Sequence, residues 1–112
     1  MRTIFHEIVE GKLKADVVYN GVNVMAFKDI HPKSDVHLLI VPKKAYRNMQ
    51  EIPQDEISII AEIATVAQHL ADEFELDSGY RFLTNVGPIS GQEVEYLHFH
   101  LIGGKKRLGS IA

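Results

Sequence analysis

Tyr96-Leu97-His98-Phe99-His100-Leu101 is the stretch that decides how the rest of this sequence is read. Its alternation predicts a strand, and in a strand successive side chains point to opposite faces. Leu97, Phe99 and Leu101 then enter a core, while Tyr96, His98 and His100 form a row on the other face. Neighbours in that row stand about 6.5–7 Å apart. We expect the strand to run from Tyr96 to Ile102 and to close at Gly103-Gly104. Two imidazoles in one row of an apolar strand are costly unless something engages them.

Outward from that strand, His37-Leu38-Leu39-Ile40-Val41 is a second apolar run, stopped by Pro42. It reads as a central strand covered on both faces. His37 opens it, and would join His98 and His100 if the two strands are neighbours. Residues 80–85 predict a further strand, followed by a glycine-bearing loop from Gly87 to Gln92. Residues 54–76 predict the one long helix, with Asp55 and Glu56 at its positive end. Ile57, Ile60, Ala61, Ala64, Ala67, Ala71 and Phe74 mark one apolar stripe; Ile59, Ile63, Val66 and Leu70 mark a second. A surface helix needs only one, so the second stripe meets either extra core or another subunit, and the subunit is preferred because so short a chain has little left to cover it.

Nearer the N-terminus, residues 3–10 predict one or two helical turns with Thr3 as N-cap and Gly11 beyond the end. Strands are expected over 16–19 and 22–28, joined by an Asn20-Gly21 hairpin turn whose residues tolerate positive φ. Asp29 to Asp35 is a loop in which Pro32 disfavours helix at His31. Strands joined by hairpins or long loops, without regular crossover helices, predict an α+β domain with a mostly antiparallel sheet. One domain over residues 1–112 is expected at this length.

Composition narrows the function. The net charge of −3 and pI near 6.0 argue against a nucleic-acid binder, which needs a basic face. The single basic cluster, Lys105-Lys106-Arg107, reads as a solvated tail. No cysteine is present, which excludes disulfides, thiolate chemistry and zinc held by sulfur. No apolar signal segment opens the chain and no run approaches membrane-spanning length, so no membrane partner and a cytoplasmic setting are expected.

Three readings of the histidines compete. They are partly exposed and structural; or His37, His98 and His100 hold a metal such as zinc; or they act on a phosphate. No carboxylate adjoins the histidine pair in a pattern that would complete a metal site. Imidazole is a good nucleophile toward phosphorus, and a second histidine can hold the attacking tautomer or pass a proton to the leaving group. The loop from Gly87 to Gln92 offers backbone N–H groups for phosphate oxygens. Together these signals favour a nucleotide or phosphate-ester site.

Gly91-Gln92-Glu93-Val94 followed by Tyr96-Leu97-His98-Phe99-His100-Leu101-Ile102-Gly103-Gly104 resembles the signature of the histidine triad family, His-φ-His-φ-His-φ-φ with φ apolar. Thr3-Ile4-Phe5, Ala26 to Pro32, His37 to Lys44 and Gly79-Tyr80-Arg81 also resemble its nucleotide-binding, phosphoramidase-like branch. The resemblance implies an α+β fold and a homodimer formed through the long helix and a shared sheet. It implies a hydrolase that binds purine nucleoside monophosphates and cleaves phosphoramidates without a cofactor or metal. By this likeness His98 is the nucleophile, His100 contacts the phosphate and His37 supports the nucleophile. Asp29 would bind the ribose hydroxyls, and Phe5, Ile8, Phe27 and Ile30 would pack around the base. Asn85, Gln92 and the backbone of Val94 would face the phosphate or leaving group. Related alternatives are hydrolysis of dinucleoside polyphosphates and a nucleotide-binding scaffold with weak activity.

Two positions depart from the family pattern. Tyr96 stands where the first signature histidine belongs, keeping the backbone carbonyl but losing an imidazole near the phosphate. Reduced or redirected activity is expected, with histidine at 96 raising turnover. Glu93 stands where some members carry a serine that helps the leaving group; its charge would repel phosphate and attract a lysine-like amine.

Overall fold

The computed structural model describes residues 2–110; Met1, Ile111 and Ala112, at the ends of the expected domain, lie outside them. The elements run α1 (Ile4–Val9), β1 (Val17–Asn20), β2 (Val24–Lys28), β3 (Val36–Pro42), α2 (Ile59–Glu73), β4 (Tyr80–Leu83) and β5 (Phe99–Gly103). The strands form one sheet in the order β1-β2-β3-β5-β4, and every pairing is antiparallel. This is the α+β architecture read from the sequence. No helix among the described residues is long and apolar enough to cross a membrane.

Period-two alternation feeds two cores. Val24, Ala26, Leu38, Ile40, Leu97, Phe99 and Leu101 face α2 and pack with its Ile63, Val66 and Leu70. Met25, Phe27, Leu39 and Val41 face the other way and meet Phe5 and Ile8 of α1. Both faces of β2 and β3 are therefore covered, which is why each carries an unbroken apolar run. α1 forms where expected: Thr3 Oγ1 accepts from the Phe5 N–H at 3.1 Å, and His6 Nδ1 accepts from the Thr3 N–H at 2.9 Å. His6 thus takes the place usually filled by Glu or Gln in such a capping box.

Several boundaries differ from the sequence reading, each for a local reason. The hairpin turn is longer than Asn20-Gly21: Asn20 stays paired with Met25, and the Gly21 N–H donates to the Val24 carbonyl at 2.8 Å. Neither Asn20 nor Gly21 has positive φ. Residues 54–56 form a separate 3₁₀ turn before α2. There Glu56 is drawn to the Tyr46 hydroxyl at 2.6 Å and the Lys44 ammonium at 2.7 Å. α2 stops at Glu73 because Glu75 turns left-handed (φ 58°), and the Leu76 N–H then reaches back to the Ala71 carbonyl.

The surplus apolar face of α2 also differs. Ile63, Val66, Ala67, Leu70 and Ala71 are buried on the sheet, so most of the second stripe is core. The N-terminal part of the first stripe is left over: Ile57 and Ala61 are exposed, and Ile60 and Ala64 are half-buried. The last strand starts at Phe99, not Tyr96, so Tyr96, Leu97 and His98 lie outside the ladder.

Candidate active site

On the sheet face opposite α2, α1 covers only part of the surface. The remainder is a cleft of about 670 Å³. Phe5, Ile8 and Phe27 line its apolar end, and Ile30, 81 % exposed, forms a lip. Asp29, Asn85, Glu93 and Val94 line the rest, with His37, His98 and His100. Eleven of the thirteen residues singled out in the sequence are thus brought to one cleft, and Tyr96 and Gln92 are the two that are not.

The antiparallel pairing of β3 with β5 sets Leu39 opposite His100 and His37 opposite Ile102. His37 and His100 are therefore diagonal neighbours on one face. Their ring atoms Nε2 and Nδ1 are 2.9 Å apart. His37 and His98 are buried, and His100 is half-buried.

Hydrogen-bond partners assign each imidazole its proton. The Lys33 backbone N–H donates to His37 Nδ1 at 3.0 Å, so neutral His37 carries its proton on Nε2. That N–H donates to His100 Nδ1, which leaves His100 with its proton on Nε2, free to donate to an anion. His98 Nδ1–H donates to the Tyr96 carbonyl at 2.7 Å, leaving a bare lone pair on Nε2. One histidine is thus prepared to attack and its neighbour to donate. The Phe5 ring meets His98 edge-on at 5.1 Å and limits its rotation.

The fold also supplies the carboxylate that the sequence pattern lacked. Asp29 Oδ2 lies 3.4 Å from His37 Nε2, and Asp29, His37 and His100 bring ligand atoms within 4.8 Å of one another. The donors suit a metal poorly. His37 Nδ1 faces a backbone N–H and so cannot carry the proton that a metal-bound Nε2 would require it to hold. Asp29 Oδ1 already accepts from the His31 N–H at 2.9 Å.

Two expectations about neighbouring groups need correction. The Tyr96 side chain does not line the cleft. It is 1 % exposed, in the α1-side core, and its hydroxyl donates to the Pro42 carbonyl at 2.6 Å. The substitution of the first signature histidine therefore removes nothing from the cleft, and the ground for expecting histidine at 96 to raise turnover falls away. The glycine loop does not present its amides as a cradle. Gly87 N–H donates to Gln92 Oε1, and the amides of Ser90, Gly91 and Gln92 bond within the loop. Gln92 is spent on this: its Nε2 donates to the carbonyls of Arg47 and Val94. The amides of Glu93 and Val94, just beyond, donate to no group among the described residues. Sequence reasoning also missed Lys33, whose amide acts through the fold, and Thr84, whose hydroxyl donates to the His98 carbonyl at 2.6 Å. Neither belongs to a motif.

Burial pushes all three imidazoles below the ordinary histidine value, His100 to about 4, where His98 and His37 lower it further. Asp29 opposes the shift at each. The histidines are therefore neutral at pH 7, as a nucleophile requires. Between the folded value for His100 and its ordinary 6.5, the unfolded chain binds a proton that the folded chain refuses. Stability should fall as pH drops from 7 toward 4. Urea midpoints measured across that range should fall less steeply in His100→Asn than in the wild type; parallel curves would show that His100 does not titrate this way.

Known proteins match this chain in sequence and fold. A family model described as the HIT domain matches residues 10–107. A HIT-like protein of Chlamydia pneumoniae is 44 % identical over 110 residues, spanning 98 % of this chain and 99 % of the relative. Among solved structures, a HIT family hydrolase from Clostridium thermocellum superposes with a TM-score of 0.92 at 35 % identity, covering 97 % of this chain and 96 % of that one. A hypothetical histidine triad nucleotide-binding protein from Sulfolobus tokodaii gives a TM-score of 0.80 at 32 % identity, covering 90 % of this chain and 68 % of that one. By sequence and fold, the chain belongs to the HIT family.

Proposed function

We propose that this chain is a hydrolase of purine nucleoside phosphoramidates that works through a covalent nucleotidyl-histidine at His98. The observation that carries this reading is the bond from His98 Nδ1–H to the Tyr96 carbonyl, which leaves the Nε2 lone pair free in the cleft. Its likeness to a HIT family hydrolase and to a hypothetical histidine triad nucleotide-binding protein supports the same class.

In the first step His98 Nε2 bonds to the α-phosphorus as the phosphorus–nitrogen bond breaks, and the amine leaves with a proton taken from water. In the second step water attacks phosphorus, His98 departs as neutral imidazole, and the water's surplus proton returns to solvent. His100 Nε2–H and the free amides of Glu93 and Val94 are the donors for the negative charge on the phosphoryl oxygens. Phe5, Ile8, Phe27 and Ile30 form the slot for the purine, and the Asp29 carboxylate accepts from the ribose hydroxyls. Asn85 faces the phosphate and Glu93 the leaving group. No metal is required by this route.

The active form is a homodimer. The apolar strip of Ile60, Ala61 and Ala64 on α2 with Ile57 just before it, and the outer edge of β4, are the surfaces that a second copy would cover.

Single-turnover hydrolysis of an adenosine phosphoramidate should proceed in the wild type and vanish in His98→Ala while AMP still binds. AMP binding without turnover in the wild type would support the scaffold reading. Glu93→Gln should slow hydrolysis of substrates with a cationic amine leaving group and spare those with a neutral one; equal effects on both would sink the assigned selectivity. Sedimentation should give a dimer for the wild type and a smaller species for Ile60→Glu. A monomeric wild type would refute the dimer.

A further inference from the structure

We propose that two hydroxyls, those of Tyr96 and Thr84, are positioning groups that clamp the main chain around His98 and so hold its imidazole in the nucleophilic tautomer. This rests on the reading of His98 as the nucleophile. It assigns a function to the residue that breaks the family signature.

The need for a clamp follows from where the sheet begins. Pairing of β5 with β3 and β4 starts at Phe99 and His100, so residues 96–98 have no ladder bonds. Yet the Tyr96 carbonyl is the group that takes the proton of His98 Nδ1. If that carbonyl swings away, nothing favours Nδ1–H over Nε2–H, and the Nε2–H form has no lone pair to offer phosphorus.

Three bonds replace the ladder here. The Leu97 N–H donates to the Tyr46 carbonyl at 2.7 Å. Thr84 Oγ1 donates to the His98 carbonyl at 2.6 Å. The Tyr96 hydroxyl reaches the end of β3, at 2.6 Å from the Pro42 carbonyl and 3.2 Å from that of Lys43. Only the first is independent of side-chain identity. The Tyr96 ring packs edge-on against His6 at 4.8 Å and Phe5 at 6.2 Å, in the α1-side core. Burial keeps this phenol protonated, with a pKa pushed up to about 12, so it remains a donor.

The test uses the full chain as wild type, Tyr96→Phe, Tyr96→His, Thr84→Val and Thr84→Ser. Three quantities are measured: the single-turnover rate with an adenosine phosphoramidate, AMP affinity, and the His98 ring-nitrogen shifts by ¹⁵N NMR. Loss of one positioned hydroxyl bond should slow the rate about tenfold, as expected for a net hydrogen bond. AMP affinity should stay within about twofold, since neither hydroxyl lines the cleft. The NMR shifts should move from bare Nε2 toward a tautomer mixture in Tyr96→Phe, Tyr96→His and Thr84→Val. Histidine belongs in that group because imidazole is too short to reach Pro42. Thr84→Ser keeps the hydroxyl and should restore both the rate and the shifts. Wild-type rate and an unmixed tautomer in Tyr96→Phe and Thr84→Val would overturn the clamp. Should Tyr96→Phe fail to fold, the Thr84 pair decides. A wild type without turnover would defeat the hydrolase reading alone, because the NMR shifts still report the clamp.

Discussion

The antiparallel contact between β3 and β5 is the constraint on which the site depends. These strands are far apart in the chain and adjacent in the sheet. Their register puts His37 and His100 on one face and diagonal to each other, close enough for a 2.9 Å ring-to-ring hydrogen bond. A slip of one residue would send His100 toward α2 and Leu101 into the cleft. Such a slip is opposed by the packing of Leu97, Phe99 and Leu101 against the helix. Core burial therefore aims the histidines, although none of them contributes to that core.

From that pairing, proton positions propagate by donor and acceptor rules. A backbone amide can only donate, and a carbonyl can only accept. The Lys33 amide and the Tyr96 carbonyl stand at the two ends of the histidine set, and each dictates the tautomer of the ring it touches. Because both controlling groups are main chain, nearly every residue at 33 and 96 supplies them, and what the side chain at 96 can change is only where the carbonyl is held. This explains how a tyrosine can stand in the first signature position without emptying the site. Its carbonyl accepts from His98, while its side chain turns into the α1-side core.

The sheet divides its labour between faces. The α2 face is closed, apolar and carries no residue of the cleft. The α1 face is half covered, because a six-residue helix cannot span five strands, and the uncovered part is the cleft. The same shortage of covering material shows on α2, where the sheet buries Ile63, Val66, Ala67, Leu70 and Ala71 and leaves Ile60, Ala61 and Ala64, with Ile57 just before the helix, partly or fully exposed. A small domain has too little chain to bury every apolar surface that it makes.

What the sequence by itself determined was the kind of element and the face of each residue. Alternation in 96–102 separated Leu97, Phe99 and Leu101 from the histidines, and the apolar run after His37 marked a strand covered on both sides, because side-chain direction follows from local backbone geometry. The family resemblance added most of the cleft. Tertiary structure alone decided where Tyr96 points, that Gln92 is consumed within its own loop, and that a lysine amide and a threonine hydroxyl serve the histidines. It also moved the start of the last strand from Tyr96 to Phe99. The physical reason is range. Alternation and propensity are set by a few adjacent residues. The partner of a hydroxyl or an amide is set by whichever distant segment the fold brings within about 3 Å, and no local pattern encodes that.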